Sequence, residues 1–264
     1  MQQIPSDAHR LFLAESAERV ATYPLDAAWK DASSRWMVHG FQRQYMYNFS
    51  WLGRPIIQLP QDMVALQEAI WTVRPDLIIE TGIAHGGSLV LSASMLAMLD
   101  LCDGIEQGGM MDPRGSSRMV LGVDIDIRPH NERAIEAHPM SSRIRMIQGS
   151  SVDPSVISRV REIAAGYRRV MVCLDSNHTH EHVLAELRAY APLTSVDSLC
   201  IVFDTVVDDL PKSVFPDRPW GPGNNPKTAV HEWLGANQHF CIDRALEDKL
   251  LLTAAPHGYL RRMA

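Results

Sequence analysis

The sequence holds only four cysteines in 264 residues, and no two of them form a CxxC pair. Cys102, Cys173, Cys200 and Cys241 are scattered, which excludes a thiolate zinc knot and a disulfide framework from the expectations. Cys173 and Cys200 lie inside apolar runs and read as small buried hydrophobes, so a reducing, cytoplasmic setting fits. No long block of one charge sign is present and the net charge is −6, so a nucleic-acid partner held through phosphates is not expected. No run approaches the roughly 18 uninterrupted apolar residues of a membrane span, so none is expected. The opening stretch "MQQIPSDAHRLFLAESAERV" is broken by charges and does not read as a signal peptide. No internal repeat is visible. What remains is an ordinary composition, 46% apolar and 21% charged, on a chain long enough to bury a sizeable core.

Two regions differ in texture. Residues 1–55 form a helical and irregular extension, with an N-cap candidate at Ser6 and an aromatic stretch from Trp36 to Trp51. From residue 56 to 264 short apolar strands alternate with helices. "DLIIETG", "MVLGVDID", "IRMIQGSS", "RRVMVCLDS" and "SLCIVFDT" read as strands, each followed or preceded by a helical pattern. The expected fold class is therefore α/β, a doubly wound and mostly parallel sheet covered on both faces. "HFCID", "KLLLT" and "GYLRRM" are short strand candidates near the end. Two segments interrupt the rhythm: a glycine-rich insertion at 103–118, expected to be a loop, and a Pro/Gly-rich segment at 211–226.

Ligands of such sheets bind at the carboxyl ends of the strands. The first end is "IIETGIAHGGSLVL". Glu80 closes a strand, and Gly82, Gly86 and Gly87 permit a tight turn into a helix N-terminus. The glycines do not follow the G-x-G-x-x-G spacing of a dinucleotide site. An acid two places before the first glycine suits a nucleoside with an amino-acid tail better than a pyrophosphate. The second end carries Asp124 and Asp126, and an acid there accepts ribose hydroxyls. The third carries Ser150, Ser151 and Asp153, small polar groups that suit an adenine edge. Together the three ends match S-adenosylmethionine binding as class I methyltransferases do it.

The fourth and fifth ends carry Asp175 and Asp204. Neighbouring strands would bring both carboxylates to one hard cation such as Mg²⁺. His178, three residues past Asp175, is placed to take a proton from a hydroxyl beside that cation. A plainer reading makes Asp175 or Ser176 a helix cap. His180 and His182 are expected in packing or solvent, and alternate residues on a helix do not share the face that zinc would need.

Beyond these residue-level readings, a wider pattern resembles a known family. "NFSWLGRPIIQLPQDMVALQEAIWTVRPDLIIETGIAHGGSLVLSASML", "GVDIDIRPHN", "LDSNHTHEHVLAELRAYAPL", "IVFDT", "GPGNNPKTAVHEWL" and "DRALEDKLLLTAAPHGYLRR" are similar to the cephalosporin hydroxylase (CmcI-like) family over about residues 45–262. The resemblance implies a Rossmann-like class I methyltransferase domain at 56–264. It implies an S-adenosylmethionine-dependent, Mg²⁺-assisted O-methyltransferase acting on a hydroxyl of a sugar, glycoside or secondary metabolite. Carried over, the cofactor turn is Glu80, Thr81, Gly82, Gly86 and Ser88, the ribose acid Asp124, and the adenine edge Ser150 and Ser151. The metal carboxylate is Asp175 and the base His178. The family's second metal position is an acidic pair. Here it reads Phe203-Asp204, so one carboxylate is missing and Thr205 stands beside the remaining one. Two other functions stay open: an NAD(P)-dependent oxidoreductase, and a non-catalytic cofactor-binding partner with a degenerate metal site. The expected partner is a hydroxylated small molecule, with residues 1–55 giving substrate contacts or a homo-oligomer interface.

Overall fold

The computed structural model describes residues 6–109, 112 and 114–264. The chain opens with two helices, α1 (Asp7–Thr22) and α2 (Ala27–Gln42), each capped by an acceptor side chain, Ser6 and Asp26. A hairpin of β1 (Phe49–Trp51) and β2 (Arg54–Ile56) follows. Then come α3 (Pro60–Val73), β3 (Leu77–Thr81), α4 (Gly87–Gln107), β4 (Met119–Asp124), α5 (Pro129–Glu136) and β5 (Ile144–Gln148). The second half contains α6 (Pro154–Ala164), β6 (Val170–Leu174), α7 (His180–Tyr190), β7 (Leu199–Val202), α8 (Pro226–Ala236), β8 (Phe240–Ile242), α9 (Arg244–Asp248) and β9 (Tyr259–Arg262).

Seven strands form one sheet in the order β5-β4-β3-β6-β7-β9-β8, and β9 alone runs antiparallel to its neighbours. Strands β3 and β6 are buried along their whole length, as a sheet covered on both faces requires. Alternate residues feed the two cores. Leu77, Ile79, Val172 and Leu174 pack with α6, α7 and α8, while Ile78, Met171 and Cys173 pack with α3, α4 and α5. The chain turns one way from β3 and resumes on its other side at β6, so the crevice of the doubly wound sheet lies above these two strands.

A third, smaller core joins Met37 of α2 and Met46 to Leu59, Val206 and Leu210. The segment before residue 56 is thereby packed on the exits of the sheet. By contrast α1 buries no residue, and Leu11, Phe12 and Leu13 stand exposed on it. Two expectations are corrected. Helix α4 runs through the start of the 103–118 insertion to Gln107, because Asp100 and Asp103 near its end are held by Arg118 and Arg74; Gly108, at φ +65°, then ends it. What remains of that insertion includes 110, 111 and 113, which lie outside the described residues. "KLLLT" forms no strand: α9 precedes it and Leu251, at φ +55°, breaks extended backbone. Among the described residues α4 alone has the length and hydropathy of a membrane span, yet nine of its residues are buried in the protein, the position of a core helix.

Candidate active site at the carboxyl edge of the sheet

The turn after β3 is pinned from three sides. Gly82, at φ +89°, donates its N–H to Val123 O at 2.8 Å, and a Cβ there would lie 2.2 Å from the Asp175 carbonyl. Gly87 stands against the hairpin, where a Cβ would lie 2.2 Å from the Pro55 carbonyl. Gly86 is held bare by Ile135. The glycines therefore serve close approach of protein to protein as well as a tight turn. Asp124 fastens the same turn: its Oδ2 accepts from Ile83 N at 2.7 Å and Ala84 N at 3.3 Å. Arg54 of the hairpin donates to the His85 carbonyl from the outside.

Below the turn, Glu80 and Thr81 are buried. The Ser88 hydroxyl donates to the Glu80 carboxylate, and burial pushes that carboxyl up to about 7. Ser150 is half-buried. Ser151 is buried, with its Oγ 3.0 Å from His182 Nε2 and its carbonyl accepting from Tyr190 OH. Asp153 is exposed and caps α6 instead.

A cavity of about 710 Å³ opens over these strand ends. Gly82, Ser88, Asp124, Asp175, His178 and Asp204 line it; Glu80, Thr81, Gly86, Ser150, Ser151 and Thr205 are not among its lining residues. Asp175 leaves β6 and Asp204 leaves β7, with Asp204 in the left-handed region at φ +55°. Ligand atoms of Asp175, His178 and Asp204 all lie within 4.8 Å of one another. His178 Nε2 is 3.1 Å from Asp204 Oδ2, and the Trp220 ring meets the imidazole edge-on at 4.8 Å between centroids. Burial raises the Asp175 carboxyl well above the usual range, and the nearby acids Asp204, Glu80, Glu186 and Asp62 raise it further. Among the described residues His178 Nδ1 and Thr205 Oγ1 are buried without a hydrogen-bond partner. Clustered acids with neighbouring orphan donors and acceptors fit a hard divalent cation, which would restore the charge balance. Asp175 caps no helix: Thr179 occupies the N-cap position of α7. His180 bonds α8 through Thr228 and Glu232, and His182 bonds Ser151 and Ser176, so both are engaged in packing.

Two lining residues, Asp62 and Gln58, escaped the sequence reading, whereas Tyr47 belongs to the aromatic stretch expected to give substrate contacts. Asp62 sits in the first turn of α3, where an acid reads as a complement to the helix dipole. It is instead buried, accepting from Ala254 N and Tyr259 OH at 2.8 Å each, and burial raises it to about 6. Gln58 is buried in an unremarkable polar position. Tyr47 lies within the aromatic stretch and enters the cavity near Asp204, Arg218 and Asp175.

The sequence model described as rhamnosyl O-methyltransferase/CmcI matches residues 43–263. A rhamnosyl O-methyltransferase of Mycobacterium tuberculosis (strain H37Rv) is 28% identical over 205 residues, covering 76% of this chain and 73% of the relative. The rhamnosyl O-methyltransferase of Mycobacterium leprae (strain TN) is 26% identical over 228 residues, 84% of this chain and 89% of the relative. Among solved structures, CmcI with Mg and S-adenosylmethionine superimposes with a TM-score of 0.55 at 18% identity, covering 83% of this chain and 78% of that one. The apo form of CmcI superimposes with a TM-score of 0.54 over 83% and 77%. These likenesses in structure establish a common fold.

Proposed function

The chain belongs to the rhamnosyl O-methyltransferase/CmcI family and is an S-adenosylmethionine-dependent O-methyltransferase; from that premise we propose that it methylates a hydroxyl of a sugar or glycoside at the Asp175–His178–Asp204 cluster. S-adenosylmethionine supplies the methyl group as a sulfonium, and Mg²⁺ supplies charge that orients and acidifies the acceptor hydroxyl. The residues that would hold the cation are Asp175 and Asp204, with Thr205 beside them. Glu80, Thr81, Gly82, Gly86, Ser88 and Asp124 form the cofactor-binding turn in this reading. Ser150 and Ser151 form the adenine edge in this reading.

His178 is the proposed base. Its Nε2 stands at the acid cluster, 3.1 Å from Asp204 Oδ2, and is the nitrogen that takes the hydroxyl proton in this reading; Asp204 then stabilises the imidazolium. Trp220 keeps the ring in place and excludes water from one edge. The remaining task is alignment of the oxygen with the methyl carbon, and the rigid strand ends supply it. Tyr47, Phe215 and Trp220 offer aromatic faces on which a sugar ring would stack.

One observation carries the reading: two acids and a histidine converge within 4.8 Å in the crevice beside the glycine turn. The glycine spacing disfavours the NAD(P) alternative. The loss of an acid at Phe203 keeps the non-catalytic alternative testable. The decisive measurement is transfer of labelled methyl from S-adenosylmethionine to a panel of rhamnosyl and other glycosides, with and without chelator. Transfer that stops on chelation and returns with Mg²⁺ is expected. A protein that binds S-adenosylhomocysteine yet methylates no glycoside in the panel would remove the acceptor assignment. The proposal includes a homo-oligomer, supported by the apolar surface of α1, and a cytoplasmic location, supported by the unpaired cysteines.

A further inference from the structure

His178 stands between two capped turns. On one side the Asn177 carboxamide oxygen accepts from Thr179 N and Thr179 Oγ1, at 2.9 Å each. On the other side α7 begins, and its N-cap residue Thr179 supplies no side-chain acceptor. The first N–H groups of a helix have no partner within it. Here the His180 N–H finds one from far along the chain, Asn224 Oδ1 at 3.0 Å.

The other end of the same amide is also used. Asn224 Nδ2 donates to the Pro219 carbonyl at 2.9 Å. Pro219 precedes Trp220, whose ring meets the His178 imidazole edge-on. Asn224 therefore joins the residue two places after the histidine to the residue just before the tryptophan that packs on it. Its own backbone closes the turn between them, exchanging hydrogen bonds with Gly221 at 3.0 and 3.1 Å. The buried Asn225 anchors that turn, donating to Asp208 Oδ1 at 2.6 Å and to the Gly221 carbonyl at 2.9 Å. Asp208 belongs to the exit of β7 that also carries Asp204. The close of the Pro/Gly-rich segment is thus fastened to both strand exits that hold the Asp175–His178–Asp204 cluster.

We propose that Asn224 is a positioning residue for methyl transfer: its side chain bridges His180 N and the Pro219 carbonyl and so sets the His178 ring against Trp220 at the acid cluster. The assignment rests on the methyltransfer reading above, with His178 as its base. A misplacement of about 1 Å costs about 10²-fold in rate. Asp175 is held separately, through its N–H to the Thr81 carbonyl at 2.9 Å, so the effect falls on the histidine.

Two measurements on the full chain test it. Hydrogen exchange of the ligand-free protein reads the tie itself. The His180 amide is expected to exchange about tenfold faster in Asn224→Ala and to keep its protection in Asn224→Asp, which retains the oxygen facing His180 N. Methyl transfer reads the role. Asn224→Ala is expected to lower kcat about tenfold or more, with S-adenosylhomocysteine affinity within about twofold and Tm within a few degrees, and Asn224→Asp, with one tie left, to fall between it and the wild type. In a His178→Ala background Asn224→Ala is expected to change the residual kcat by less than about twofold, because a residue acting through the ring has nothing left to position. A merely structural role would lower both backgrounds alike. Unchanged exchange at His180 in Asn224→Ala, a wild-type kcat in that variant, an equal loss in both backgrounds, or a loss confined to S-adenosylhomocysteine binding would overturn the assignment. A wild-type chain that transfers no methyl group, while its His180 amide responds to Asn224→Ala as expected, removes the methyltransfer reading and the positioning role with it and leaves the tie alone standing.

Discussion

At the scale of residues, the site stores its chemistry in groups held away from water. Glu80 shows this most plainly. Its carboxyl is buried under Ser88 and raised from 4.5 to about 7, so the folded chain binds a proton there more tightly than the unfolded chain does. The sign follows: its contribution is fully present below pH 4.5 and is lost as pH rises toward 7. Across that window it amounts to at most about 3 kcal/mol. Glu80→Gln, which cannot ionise, is expected to flatten the fall in stability between these pH values in urea titrations of the ligand-free protein. An unchanged pH profile would contradict the burial argument. His178→Ala is expected to lower kcat by about 10²–10⁴ with little change in S-adenosylhomocysteine affinity, since the ring moves a proton and does not hold the cofactor. Retention of the wild-type rate across pH would remove His178 as base. Asp175→Asn is expected to raise the Mg²⁺ concentration for half-maximal rate, checked by metal titration.

At the scale of elements, the glycine turn couples three strand exits. A methyl group on Gly82 would enter the Asp175 carbonyl at 2.2 Å, and the residue needs φ +89° besides. Gly82→Ala is therefore expected to cost at least about 2 kcal/mol and to displace Asp175. Gly235 is the contrasting case, because it lies in α8 with open space where its Cβ would be. Gly235→Ala is expected to stabilise by up to about 1 kcal/mol, read as a rise in Tm. The turn was legible as a pattern of residues: strand, acid, glycines, helix. Its partners were not. Nothing in the spacing of "TGIAHGG" announces that Pro55, Ile135 and Asp175 are what its glycines must clear. Likewise the continuation of α4 past residue 103 depended on Arg74 and Arg118, which lie far along the chain from that helix end or beyond it.

At the scale of the molecule, the sheet and α2 hold together a cavity to which α1 contributes nothing buried. Removing residues 1–25 is expected to leave the Tm within a few degrees, since little apolar area goes with them. If α1 forms the interface between copies, the same truncation lowers the assembly mass in light scattering; an unchanged mass would send the interface elsewhere. The alternating apolar strands and helices by themselves determined a doubly wound parallel sheet, because period and burial are local properties of the chain. They also determined that acids and glycines would stand at its carboxyl ends. Which of these groups share a cavity was decided only by the tertiary structure. It left Ser150 and Ser151 out of the cavity lining, brought Asp62, Gln58 and Tyr47 to the cavity from segments before the sheet, and set His178 against Asp204 and Trp220. Such contacts join residues tens to hundreds of positions apart, and no local spacing encodes the packing that brings them within a few ångströms.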